Sequence, residues 1–259
     1  MNPMAAARAR AAVRDLPASR IREVANAAMG RTDVLAFWFG EPAEVTDARI
    51  REAATAALAA GDTFYHPNLG VPALRDAIAR YSASLHGPVA ASRIAVTSSG
   101  VAALMLAVQT LVGHGDRVVV VSPVWPNLPA MPALMGADVV RVSLQVDPRT
   151  RRWRLDLDEL LAALTPDTRL LMINSPGNPT GWVASDGQVR AILEHCRRQG
   201  TWILSDEAYE RLAFGSHCAP SFLDHVDAED RVVIANTFSK TWQMTGWRLG
   251  WLTLPDALV

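Results

Sequence analysis

The sequence predicts an α/β domain in which a mostly parallel sheet carries helices on both faces. Three observations point there. From about residue 91 onward, β-rich runs alternate with helical patterns, and strands joined through helices pair in parallel. The run over residues 117–121 is an arginine followed by four valines, which suits a strand covered on both faces. The segments richest in hydroxyl, amide and ionisable groups begin where strands end, the edge at which open α/β sheets bind ligands.

In chain order, residues 93–97 read as a strand and 101–111 as an apolar helix, followed by strands over 117–121 and 137–144. Residues 156–164 read as a helix, because Asp156 and Asp158 suit a helix N-terminus. A strand over 170–174 leads to a helix over 185–199, with Gly200 where a C-cap glycine belongs. Strands over 202–205, 232–235 and 248–253 complete the pattern. Before residue 91, helices are expected over 49–60 and 71–85, around the turn-rich loop Tyr65-His66-Pro67-Asn68-Leu69-Gly70. The first 14 residues are rich in Ala and Arg and hold no acid until Asp15. A mobile, solvated arm over residues 1–16 is expected there; an organellar transit segment is the alternative reading.

Composition narrows the function classes. The chain is 50% hydrophobic and 20% charged over 259 residues, ample for a buried core. A net charge of -1 makes no electrostatic case for nucleic acid. No apolar run is long enough to span a bilayer. Cys196 and Cys218 show neither metal-ligand spacing nor a disulfide framework, so no metal is expected and a reducing, cytoplasmic setting is.

One compositional fact is sharper. Of the 25 Lys and Arg residues, Lys240 is the only lysine. Arginine substitutes for lysine in solubility, ion pairing and phosphate binding, but not where a primary amine must condense with a carbonyl. Lys240 lies in Thr237-Phe238-Ser239-Lys240, just after an expected strand, where a reactive amine would be presented. The plainer reading is a solvated surface lysine.

Pyridoxal phosphate needs a lysine for its aldehyde, an acid for its pyridine nitrogen, an anion site for its phosphate and a flat partner for its ring. Each has a candidate. Asp206 ends a strand and suits the pyridine nitrogen, although strand-end aspartates also serve as caps. Tyr209 follows within a turn, and Asn178 sits in the turn cluster Asn174-Ser175-Pro176-Gly177-Asn178-Pro179-Thr180-Gly181; both could bond the ring's phenolate oxygen. Thr97-Ser98-Ser99-Gly100-Val101 joins a strand to a helix and reads equally as an anion site or a simple serine cap. Arg248 offers that phosphate a fixed positive charge, and Trp125, after a strand, offers a flat face unless it is merely a core tryptophan.

These segments together resemble aminotransferase classes I and II, the fold-type-I pyridoxal-phosphate family, over residues 21–253. Asn178-Pro179-Thr180-Gly181 resembles the family's Asn-Pro-x-Gly loop, and Ser205-Asp206-Glu207-Ala208-Tyr209 its Asp-Glu-x-Tyr segment. The stretch from Ser239-Lys240 to Gly246-Trp247-Arg248-Leu249-Gly250 resembles its Ser-Lys…Gly-x-Arg-x-Gly signature. The resemblance implies a three-layer α/β/α fold of the PLP-transferase type, with a mostly parallel seven-stranded sheet whose last strand is antiparallel. It implies that Lys240 carries the cofactor as a Schiff base and that Asp206 pairs the pyridine nitrogen. Asn178 and Tyr209 would bond the ring oxygen, and Trp125 would stack on the ring. Ser99, Gly100, Val101, Thr237, Ser239 and Arg248 would surround the phosphate. Tyr65 resembles the tyrosine that reaches the partner subunit's phosphate in family homodimers, and Gly40, in Phe39-Gly40-Glu41-Pro42, the glycine beside the substrate carboxylate. Asn178 would also face the substrate.

The implied activity is ping-pong transamination between an amino acid and a 2-oxo acid. A β-eliminating lyase on the same scaffold and a non-catalytic fragment are the alternatives. Family chains continue through a long helix into a small C-terminal domain that carries the arginine gripping the substrate's α-carboxylate. This sequence ends at Val259, so a partial chain is expected. Residues 17–45 would then join a small domain, residues 46–259 would form the cofactor-binding large domain, and the C-terminal small domain would be absent.

Overall fold

A computed structural model describes residues 10–259. Helices α1 (Ala11–Arg14), α2 (Arg20–Ala28), α3 (Ala48–Ala59) and α4 (Pro72–Leu85) lead to strand β1 (Ile94–Thr97), helix α5 (Gly100–Leu111) and strand β2 (Arg117–Ser122). Then come α6 (Asn127–Leu134), β3 (Asp138–Ser143), the short hairpin β4 (Gln145–Val146) and β5 (Trp153–Arg154), α7 (Leu157–Ala163), β6 (Thr168–Asn174) and α8 (Asp186–Gln199). Strands β7 (Trp202–Asp206) and β8 (Val232–Thr237), the one-turn helix α9 (Phe238–Thr241) and β9 (Gly250–Thr253) complete the order.

Seven strands form one sheet in the order β1-β9-β8-β7-β6-β2-β3. The pairs among β8, β7, β6, β2 and β3 are parallel, and β9 runs antiparallel between β1 and β8. The expected sheet, with its antiparallel last strand, is the observed one. Alternate residues of the central strands feed two cores. Val119, Val121, Leu171 and Ile173 pack beneath α7 and α8, whereas Val118, Val120, Leu170 and Met172 pack beneath α5 and α6. Burial on both faces explains the unbroken apolar runs that announced these strands.

The helix signals held. Asp156 accepts from Glu159 N–H at the start of α7. Ser185 and Gln188 form a reciprocal capping box on α8, and Gly200 closes it in the left-handed region at φ 74°. Four helices lay outside the sequence expectations: α1, α2, α6 and the one-turn α9. In α6, Pro126, Pro129 and Pro132 spoil the pattern, yet Pro126 caps the helix and Pro129 lies in the first turn, where no N–H donor is needed. In α2 the apolar positions Ile21, Val24, Ala25 and Ala28 do fall on one face, but the helix is short and fully buries only Ala25. The final strand begins at Gly250 rather than at residue 248, because Arg248 adopts left-handed φ 57°, ψ 57°. Of the expected N-terminal arm, residues 1–9 lie outside the described residues, and α1 occupies part of the remainder.

Register brings the site's frame together. Gly250 pairs with Thr97 on one side and Thr237 on the other, so the ends of β1, β9 and β8 meet beside the start of α5. An added Cβ at Gly250 would lie 2.4 Å from Gly100 N and 2.6 Å from Ser99 C, both backbone atoms with no room to yield. Gly250→Ala is therefore expected to cost about 3 kcal/mol, lowering the thermal midpoint by roughly 6–12 °C. Gly246→Ala, where nothing lies within 4 Å, is the control for a melting experiment. Equal midpoints for the two variants would contradict the close approach.

Candidate cofactor site

Lys240 sits on α9, which is held by aromatic packing against Trp251. Phe238 and Trp242 pack with ring centroids 5.0 Å apart, and Phe238 lies edge-on to the buried Trp251 at 5.0 Å. These aromatic contacts fix the short helix and leave the lysine projecting from it. The Lys240 amine donates to the carbonyl oxygen of Gly40, 200 residues away in sequence, and lies 5.7 Å from the Tyr209 ring centroid. Burial holds the Lys240 pKa below its ordinary value; Arg248 pushes the same way, while Glu41 and Asp206 oppose it. A lowered pKa enlarges the fraction of neutral amine, the form that attacks a carbonyl.

Strand ends β6 and β7 place the polar partners. Asn174 donates to the Asp206 carbonyl at 2.9 Å and accepts the Asn178 N–H at 2.8 Å, so it locks the loop that carries Asn178. Asn178 Nδ2 in turn donates to the Tyr209 hydroxyl at 3.1 Å. Asp206 is buried, and its carboxylate accepts only the Ala208 N–H, at 3.2 Å. Desolvation raises its pKa to about 6, against the opposing pulls of that N–H and of Lys240. A buried carboxylate this poorly partnered is a ready acceptor for a protonated ring nitrogen. Burial also raises the Tyr209 pKa, which the Asn178 hydrogen bond opposes and Asp206 reinforces.

A second group gathers at the start of α5. Ser99 caps α5 by accepting the Ala102 N–H at 3.0 Å. Gly100 and Val101 are its first two helical residues, whose N–H groups have no carbonyl one turn back to bond. The Thr237 hydroxyl meets Ser239 Oγ at 3.0 Å and Leu249 O at 3.2 Å. A Cβ on Gly100 would lie 3.0 Å from Thr237 Cβ, so glycine is what lets the helix start approach that strand end. Arg248 follows the same loop, its guanidinium donating to Thr245 O at 2.7 Å. Four non-glycine residues among those described have positive φ, and three of them, Ser99, Gln243 and Arg248, lie in the segments that form this frame. Left-handed backbone at such residues is costly and tends to mark functional sites.

The structure thus gathers Gly40, Asn178, Asp206, Tyr209 and Lys240 into one group, and Ser99, Gly100, Thr237 and Ser239 into the adjoining one. Val101 is partly exposed at the start of α5, and Trp125 is half-buried against the core beneath α5 and α6. Tyr65 is fully exposed on this chain. Sequence reading gave no role to Asn174 or Glu41. An asparagine at a strand end four residues before another, as Asn174 is before Asn178, was the available signal for the first.

An amine on a strand-end turn, a buried acid and a hydroxyl-lined helix start on this sheet define a pyridoxal-phosphate-type scaffold. Residues 32–259 match the family described as aminotransferase class I and II, and the chain belongs to that family. Members of the family use pyridoxal phosphate, and the donor set above fits that group.

The chain is 32% identical to an aspartate aminotransferase of Pyrococcus horikoshii, over 93% of its own length and 61% of that protein's. It is 36% identical to an arginine–pyruvate transaminase of Pseudomonas aeruginosa, over 87% of its length and 57% of that protein's. Aspartate aminotransferase of Thermus thermophilus, solved with maleate, superposes with a TM-score of 0.87 at 31% identity, covering 97% of this chain and 65% of that one. The chain therefore spans about three fifths of the length of the curated relatives it matches.

Proposed function

We propose that this chain is the cofactor-binding part of an aminotransferase that moves an amino group between an α-amino acid and a 2-oxo acid in two half-reactions. The observation that carries the reading is the convergence of the sole lysine, the buried Asp206 and the Asn178–Tyr209 pair at the ends of adjacent strands. Relatives named for aspartate and for arginine–pyruvate transfer support the reaction class.

When bound, pyridoxal phosphate supplies an aldehyde that condenses with amines and a ring that stores the electron pair freed at the substrate's Cα. Lys240 would hold the cofactor covalently and, as a free amine, would take and return the substrate's Cα proton. Asp206 accepts the ring N–H and keeps the ring protonated. Asn178 and Tyr209 would donate to the ring oxygen, and Trp125 would offer the ring an aromatic face. Ser99, Thr237, Ser239 and Arg248 hold the phosphate, together with the free N–H groups of Gly100 and Val101. Gly40 and Asn178 line the substrate side.

Residues 46–259 form the cofactor-binding domain in this reading, and residues 17–45 lead to a smaller one. Two chains work together, each lending its exposed Tyr65 to the other's phosphate. Among the described residues no helix is long and apolar enough to cross a membrane. Both cysteines are free, which fits a reducing cytoplasm.

The test is to mix the purified chain with pyridoxal phosphate, reduce with borohydride and map the labelled peptide by mass. Label on Lys240, together with 2-oxo acid formed from an amino acid, is expected. Folded protein labelled only at the N-terminal amine would refute the site, and ammonia released with pyruvate would mark a lyase instead.

A further inference from the structure

One residue beyond Asp206 the chain enters a buried polar cluster that the reaction above does not use. Glu207 and Glu210 are both buried. Glu207 accepts from Ser205 Oγ at 2.8 Å and from Ser221 Oγ at 2.6 Å. Glu210 accepts from the Tyr81 hydroxyl at 2.7 Å and from Asn236 Nδ2 at 3.2 Å. His86, the residue that ends α4, enters between them with a side chain only 1% exposed. Its Nδ1 lies 2.9 Å from Asp224 Oδ1. Its Nε2 is enclosed and has no hydrogen-bond partner, with Glu210 Oε2 3.7 Å away. One ligand atom each from His86, Glu207 and Glu210 lies within 4.8 Å of the others.

The unpartnered nitrogen is the informative feature. Leaving a buried polar atom unbonded costs about 1–3 kcal/mol. With Nδ1 donating to Asp224, it is Nε2 that faces the carboxylates of Glu207 and Glu210. A buried nitrogen enclosed against negative charge calls for positive charge there, either a proton or a metal ion. A carboxylate on the far nitrogen of a histidine is also the arrangement that orients metal-bound imidazoles.

We propose that His86 Nε2, Glu207 and Glu210 form a binding site for a divalent transition-metal cation of the zinc type, with Asp224 orienting the imidazole. One nitrogen and two carboxylates suit such an ion, whereas calcium and magnesium favour all-oxygen shells. Ligand oxygens and nitrogens sit about 2.0–2.2 Å from zinc, so the three side chains close inward on binding. Ser205, Ser221, Tyr81 and Asn236 already hold the outer sides of both carboxylates, as metal ligands require. The ion would tie the end of α4 and the turn bearing Asp224 to the segment that presents Asp206 and Tyr209. Its rival for the same nitrogen is a proton. Burial works against a charge on His86, but hydrogen bonds and the field of the surrounding carboxylates raise its pKa to about 10.

The test uses the full chain stripped with a chelator, then titrated with zinc by calorimetry and with cobalt by visible absorption. One equivalent of tightly held zinc is expected, with cobalt d–d bands that zinc abolishes. His86→Gln should weaken zinc at least tenfold, and Asp224→Asn by about 10–100-fold. Should His86→Gln fail to fold, Asp224→Asn and the wild-type cobalt spectrum decide. No saturable zinc binding would overturn the site and leave a protonated cluster. Wild-type affinity in both variants would also overturn it, placing the metal on other histidines such as His66 or His225.

Discussion

Lys240→Arg should give a folded protein that forms no covalent adduct with pyridoxal phosphate and turns over no amino acid. The substitution keeps the positive charge and a donor for the Gly40 carbonyl, so charge and hydrogen bonding are not what is lost. The attacking species is lost. The half-buried Lys240 amine has its pKa held down and so supplies more neutral nitrogen, whereas a guanidinium does not deprotonate in proteins. Removing the proton carrier alone costs about 10²–10⁴-fold, and loss of the covalent anchor adds to that. Since Lys240 is the only lysine, borohydride should then leave only the N-terminal amine labelled. A thermal melt close to wild type, set by the Phe238–Trp242–Trp251 packing around α9, would separate chemistry from folding. Appreciable turnover by the folded variant would remove Lys240 from the mechanism.

What was legible in the sequence follows from which forces act locally. Strands buried on both faces announce themselves as unbroken runs, and caps such as Ser185 with Gln188 are written within four residues. Helix α6 was hidden because its prolines spoil the pattern without breaking the helix, while the apolar stripe of α2, Ile21, Val24, Ala25 and Ala28, spans only nine residues and fully buries only Ala25. Site residues at strand ends were visible one by one, since each lies in a short segment of distinctive chemistry. Their meetings were not. The contact of Gly40 with Lys240 and the gathering of His86, Glu207, Glu210 and Asp224 join segments that only the folded sheet brings near. The left-handed backbone of Arg248 was equally silent, because nothing in an arginine announces positive φ.

Asp206→Asn should expose a conflict between stability and function. Burial raises the Asp206 pKa to about 6, whereas an unfolded chain leaves it near the model-peptide value of about 3.9. A raised folded pKa means that this group's favourable contribution is complete below pH 4 and is lost as pH rises through 6. At pH 7 the ionised carboxylate thus costs the cofactor-free fold about 3 kcal/mol. An amide of the same shape carries no charge to bury and can still accept the Ala208 N–H. After its own burial cost, the gain should be about 1–2 kcal/mol at pH 7. The melting advantage over wild type should shrink as pH falls from 6 to 4 and vanish below. Function should move the other way, because an amide oxygen cannot balance a protonated ring nitrogen. Removing one partner of a buried ion pair costs about 3–5 kcal/mol, so turnover should fall on the order of 10²–10⁴-fold. A variant less stable than wild type at pH 7, with full turnover, would show that Asp206 is a structural cap. The predicted pair of opposite shifts is the signature of a carboxylate kept buried for a cationic partner that the folded chain alone does not supply.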